Sequence, residues 1–245
     1  MTSKQLFQSG RLDEAIAALG AELRDNPTDA QKRTFLFELL CFAGEYDRAE
    51  KHLNLLADQN EQAKLGAILY FSALHAERLR QEMFRSGDLP SSAAPAAADS
   101  IRGELNGKAF SSFEDSDPRI GTRLEVFAAG AYLWIPFEHI TSVEMGAPKR
   151  LRDLLWIPAL VRTGPAFQGK ELGEVLIPAL CPLSWQDSDA NVRLGRATEW
   201  REQEGGAVPV GLKTFIVDDE DIAILDVRKL EFQAAEAAAS QGGGE

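Results

Sequence analysis

The chain has 245 residues, of which 44% are hydrophobic, enough for one large domain or two modest ones with a sizeable core. Its formal net charge of -12 opposes unassisted binding to nucleic acid or to an anionic membrane, since both carry the same sign, and favours basic or apolar protein partners. Two cysteines, Cys41 and Cys181, make neither a disulfide framework nor a zinc spacing and read as reduced packing residues of a cytosolic protein.

The first residues, MTSKQLFQSGRLDEA, lack the apolar core of a signal peptide. No run approaches the ~20 apolar residues of a membrane span, so a cytoplasmic location is expected. From Arg11 to Leu23 the apolar residues Leu12, Ala15, Ile16, Leu19 and Leu23 fall at helical spacing, and Asn26-Pro27 stops the helix. Thr28, with Gln31 three positions on, predicts a capping box for a second helix that runs to Gly44. Gly10, Leu12, Ala15 and Leu19 are then echoed by Gly44, Tyr46, Ala49 and Leu53, a spacing of 34 residues, which is the tetratricopeptide period. The small residues predict close helix approach and the glycines predict turns; the competing reading is two unrelated amphipathic hairpins.

A further helix is predicted over 61–84. Its segment from Leu65 to Leu74 is apolar almost all round, which predicts burial on several sides, and its role is to dock the array onto the second domain. Residues 86–100, SGDLPSSAAPAAADS, are too small in side chain to order themselves and read as a linker.

Beyond it, 124–127 and 132–137 are rich in aromatic and β-branched residues around Ala129-Gly130, a hairpin signal, and Pro136 puts the second strand at an edge. Strand-like runs ITSVEM, IPALVR, GEVLIPALCP and RLGRATEW come next, with a short helix over 149–155. LKTFIV and IAILDV, separated by Asp218 to Asp221, predict a hairpin with an acidic loop. The tail from Gln233 should fray. The reading is α+β: a tetratricopeptide-like helical array over 1–85, a linker over 86–100, a mostly antiparallel α+β domain over 101–232 and a loose tail over 233–245.

Three acidic clusters, Asp115 with Asp117, Asp187 with Asp189, and Asp218 to Asp221, suit a metal or acid-base site only if they converge. Each sits where a turn or cap is expected, and none carries the Gly and terminal Glu of a calcium loop. His52, His75 and His139 are scattered, and no Gly-rich elbow or phosphate loop is present. No cofactor or metal ligand set is therefore assigned, and the runner-up to a binding protein is a metal-dependent hydrolase built on the acidic clusters. The aromatics Trp134, Phe137, Trp156, Trp185 and Trp200 read first as core. Should any lie exposed beside Arg150, Arg152 or Asp153, it becomes a peptide-docking anchor, so Trp134, Phe137, Arg150, Arg152, Asp153 and Trp156 are the candidate protein-binding residues.

An ordered set of words runs through 115–159: Asp115, Asp117, Pro118, Arg119 and Gly121; then Gly130, Tyr132, Trp134, Pro136 and Phe137; then Leu151, Arg152, Asp153, Leu154, Trp156, Pro158 and Ala159. In these words the chain resembles the ImpE (TagJ) family of type VI secretion accessory proteins. The resemblance implies a cytoplasmic, non-enzymatic adaptor that binds the small sheath subunit through that subunit's N-terminal helix. It also implies an influence on sheath disassembly by the AAA+ ATPase. It supplies no catalytic residues. A general tetratricopeptide scaffold for another complex is the remaining alternative, and the oligomeric state is open.

Overall fold

The structure is a computed structural model that describes residues 1–90, 97–98, 101–164, 167, 172–203 and 205–233. Of the linker expected over 86–100, residues 91–96 and 99–100 lie outside the described residues, as does the tail beyond 233.

Five helices open the chain: α1 (Ser3–Gln8), α2 (Leu12–Asp25), α3 (Ala30–Phe42), α4 (Tyr46–Ala57) and α5 (Glu61–Ser86). The short α1 was not legible as a separate helix in sequence; Thr2 and Gln5 cap it reciprocally. Ala15 and Ala49 are fully buried, as close helix approach requires, and the apolar stripes of α2 and α4 meet α3. Gly10 and Gly44, the repeat's turn positions, have φ of +77° and +71°, a region that costs other residues a steric penalty. The cap of α3 differs from expectation: Asp29, one residue after Thr28, accepts from the Lys32 amide at 3.0 Å, because its carboxylate is the stronger acceptor for the free first-turn amides.

The remainder is β-rich: β1 (Gly103–Leu105), β2 (Lys108–Phe110), β3 (Phe113–Asp115), β4 (Arg123–Ala128), β5 (Ala131–Pro136), β6 (Ile140–Met145), β7 (Trp156–Thr163), β8 (Gly173–Pro178), a one-turn α6 (Ala190–Arg193), β9 (Thr198–Gln203), β10 (Gly206–Gly211), β11 (Thr214–Val217), β12 (Glu220–Ala223) and β13 (Lys229–Phe232). The large sheet has the order β2-β1-β13-β6-β7-β8-β4-β5, and every pairing is antiparallel. β4 and β5 form the predicted hairpin around Ala129 and Gly130, both at positive φ as a two-residue primed turn demands, and β5 is the sheet's edge. β11 and β12 turn on Asp218-Asp219 alone, while Glu220 and Asp221 belong to β12. The segment expected as a strand from Arg193 begins instead as the end of α6, turns at Gly195 and becomes extended only at Thr198.

One face of the large sheet packs against the small sheet β12-β11-β3 over an aromatic core. Phe113, Phe137 and Phe215 are at most 1% exposed, and Phe113 and Phe137 meet edge to face at 4.9 Å between ring centres. On the opposite face, α5 lies across β4 and β5. The two parts share a core in which Phe127, Leu155, Trp156 and Leu176 pack with the leucines of the array.

Candidate functional site: the junction between helices and sheet

In a helical-repeat array the partner-binding surface is usually the inner groove lined by the first helix of each pair. Here those helices are α1, α3 and α5, and much of their exposed face is taken by the chain's own C-terminal half. Arg152, from the 3-10 turn Leu151–Leu154, places its guanidinium over the Tyr70 ring at 4.6 Å and reaches Glu38 at 3.5 Å. Trp156 Nε1 donates to Glu77 Oε2 at 2.8 Å. Leu183 N and Trp185 Nε1 donate to Gln81 Oε1 at 2.9 and 3.3 Å.

The segment around α6 is registered on the repeat itself. A Cβ on Gly44 would lie 2.4 Å from the Trp185 ring, and one on Gly10 would lie 2.9 Å from Asn191 Oδ1. Arg193 forms a two-pronged pair with Asp13 at 3.0 Å, and Arg196 donates to the carbonyls of Phe7 and Gln8. Equivalent turns of the two repeats are thus clamped by one short stretch.

Beneath lies a charged lattice sealed from solvent. Arg80, on the sheet-facing side of α5, donates to Glu125 Oε1 at 2.7 Å and Oε2 at 3.1 Å, to Glu77 at 3.2 Å and to the Leu180 carbonyl at 2.9 Å. Lys213 Nζ bridges Glu125, at 2.7 Å, and Asp115. Tyr132 completes the shell of Glu125 by donating to it at 2.6 Å. Burial by itself would raise the Glu125 carboxyl, but Arg80 and Lys213 overcome it and hold the group down at about 2. Asp115 goes the other way: burial raises it to about 6, because it shares Lys213 with the more strongly held Glu125. Glu38 is pushed up to about 7 by burial, with Arg152 opposing.

These groups are paired with one another, and none of the lattice carboxylates stands without a cation beside it. Burial pushes the Cys181 thiol up to about 12 and the Cys41 thiol upward as well, so neither is poised to attack. The acidic clusters end on separate partners. Asp117 pairs with Arg119; Asp187 accepts from Arg201 at 2.8 Å; Asp189 caps α6; Asp218 accepts the amides of Ser111 and Ser112 at 2.8 and 2.9 Å. Among the described residues no group of three or more His, Cys, Asp or Glu is placed to hold a metal ion. Nor, among them, is any helix long and apolar enough to cross a membrane.

The six residues expected at a docking patch are dispersed. Phe137 and Trp156, 0% and 2% exposed, belong to the two cores, because each large ring is worth more against other rings than against water. That is the first reading of these two rings, as core, and it takes them out of any exposed docking patch. Trp134 is half-buried against Phe84, with the Arg123 guanidinium 5.5 Å over its ring. Asp153 stabilises its own turn by accepting the amides of Lys149 and Arg150, Arg152 is committed to Glu38 and Tyr70, and only Arg150 is exposed. Burial of the first half of α5 is corrected: Leu65, Ile68 and Leu69 are exposed. An open apolar groove of about 450 Å³ lies between α1 and α3, lined by Phe7, Leu19, Phe35 and Leu151.

Comparison with known proteins agrees with this architecture. A family model described as ImpE protein matches residues 107–231, and one described as Tetratricopeptide repeat matches residues 6–69. The chain is 31% identical over 268 residues to the type VI secretion system accessory component TagJ of Pseudomonas aeruginosa, spanning 97% of this chain and 93% of that protein. A crystal structure of protein VPA1032 from Vibrio parahaemolyticus is similar at a TM-score of 0.80 and 21% identity, covering 94% of this chain and 97% of that one, a likeness of fold.

Proposed function

The chain belongs to the ImpE family, and from that footing we propose that it serves as an accessory component of a type VI secretion system. The observation that carries this reading is the match to TagJ along nearly the whole of both chains, helices and sheets together.

The action we propose is binding rather than catalysis, in the cytoplasm. It is supported by a junction whose ionisable groups are spent on one another and by buried, unactivated thiols, which suit a reducing compartment. The partner is the small subunit of the contractile sheath, engaged through its N-terminal helix. The consequence is an altered disassembly of the contracted sheath by the AAA+ ATPase. Helix capture by an apolar surface suits a chain whose acidity keeps it off nucleic acid.

Co-purification of the chain with the sheath small subunit, intact and lacking its first helix, tests the reading. Retention of the intact subunit and loss of the shortened one is expected. Equal retention of both refutes the docking mode, and failure to retain either refutes the sheath assignment.

A further inference from the structure

α5 carries one continuous stripe toward the outer face of the large sheet. Where it meets β4 and β5, the stripe residues Ala73, Ala76 and Arg80 are at most 1% exposed. One and two turns upstream the same stripe continues as Leu69 and Leu65, which are 50% and 68% exposed, with Ile68 beside them at 55%. The helix overhangs the element it packs on, and the leucines of the stripe are on the overhang.

The sheet supplies the other wall. Phe127, Pro158, Leu160 and Leu176 line a groove of about 330 Å³ that Leu69 closes from the helix side. Cross-strand pairing of Pro158 with Leu176 and of Phe127 with Leu176 puts these side chains on the face that α5 covers further along. Neighbouring strands lie ~4.8 Å apart and packed helices ~8–10 Å apart, so one more helix beside α5 would ride over β8 and β7. From Glu174 in the groove's own lining outward the same face turns acidic: Glu174, Glu144, Glu231 and Glu104 outnumber Arg162 and Lys229, which are themselves paired with Glu144 and Glu231.

We infer that this overhang seats an amphipathic helix of the partner protein, lying beside α5 with its apolar stripe on Leu65 and Leu69 and basic residues toward Glu174. The assignment rests on the helix-capture role proposed above and adds its place and chemistry. A second copy of this chain is disfavoured because it would bring one acidic face against another.

Two probes separate the surface from the partner. The first is an amphipathic model peptide of leucine on one face and lysine on the other; the second is the sheath small subunit. Each is titrated calorimetrically against the wild-type chain, L65Q/L69Q and E174K, whose folding is checked by circular dichroism; glutamine preserves helix propensity. Both probes should bind the wild type, bind L65Q/L69Q at least about tenfold more weakly as truncated anchors do, and bind E174K more weakly with a reduced dependence on salt. A peptide that ignores the wild-type chain, or binds all three alike, overturns the surface. A sheath subunit that fails to bind while the peptide behaves as expected overturns the sheath reading and leaves the surface standing. Concentration-dependent dimerisation of the wild type that L65Q/L69Q abolishes assigns the overhang to a second copy and likewise overturns the inference.

Discussion

Replacing Lys213 with methionine perturbs the buried lattice at its most consequential point. The side chain is 1% exposed and is the cation shared by Asp115 and Glu125, themselves at most 1% exposed at the side chain. Methionine fills similar volume, so the change is chiefly electrostatic: Glu125 and Glu77 keep Arg80, while buried Asp115 loses the cation it is paired with. Removing one partner of such a set costs about 3–5 kcal/mol, a large part of the ~5–15 kcal/mol that holds a domain folded.

The cost carries a pH signature. In the wild type Asp115 is raised from 3.8 to about 6, so its protonated form favours the folded chain. That contribution is complete below the unfolded value and is lost as pH rises through the folded one. Without Lys213 the carboxyl rises further, and the folded variant keeps its proton through pH 7.5 while the unfolded chain releases it. From pH 6 to pH 7.5 the deficit therefore widens by about 1.4 kcal/mol per unit, about 2 kcal/mol in all. Urea unfolding followed by circular dichroism at pH 5 and pH 7.5 measures both quantities. Adding D115N to K213M removes this titration, so the double variant should gain on K213M by about 1.4 kcal/mol per pH unit, about 3 kcal/mol more at pH 7.5 than at pH 5. A loss below about 1 kcal/mol, or one equal at the two pH values, refutes the shared-cation account.

Other perturbations test separate parts of the junction. Gly44→Ala forces a left-handed φ of +71° on a residue whose Cβ would sit 2.4 Å from the Trp185 ring; a loss of about 2 kcal/mol or more, with red-shifted tryptophan emission, is expected. Arg152→Met removes the cation 3.5 Å from Glu38. Because Glu38 is already raised from 4.5 to about 7, its protonated form stabilises the fold below 4.5 and that stability goes as pH passes 7. The variant's deficit should thus grow by about 1–2 kcal/mol between pH 6 and pH 8 in thermal melts, and a pH-independent deficit counts against the pair. Trp156→Phe takes the indole donor 2.8 Å from buried Glu77 and should cost about 1.5–3 kcal/mol by chemical denaturation. Gly66→Ala, at a helical position with open space around its would-be Cβ, should raise stability by about 0.5–1 kcal/mol; a lower melting temperature would mean that α5 is packed there.

Local chemistry was legible wherever the cause and its effect lie close along the chain. The spacing of Gly10 and Gly44 marked two turns that do require positive φ, Ala129-Gly130 marked a two-residue hairpin, and Pro136 marked an edge strand. Asp189 and Asp218 ended in a cap and a turn, as short side chains that bond nearby amides do, whereas Asp115 lies in β3 and is buried on Lys213. Less was visible of the site. Arg80 occupies a place in the apolar stripe of α5, a hint of a buried charge, but its partner Glu125 is 45 residues away and Lys213 lies further still.

The repeat, the hairpins, the antiparallel character and the acidity were thus written into the order of residues, all of them properties of neighbours or of sums. Periodicity tells which side of a helix is apolar but not what will cover it. Folding in three dimensions settled the rest: the array's groove is largely filled by the chain's own tryptophans and arginine, Phe137 and Trp156 go inside, and Leu65 and Leu69 stay out. The reason is that burial depends on where a second element ends, and α5 extends past the sheet that covers its other half.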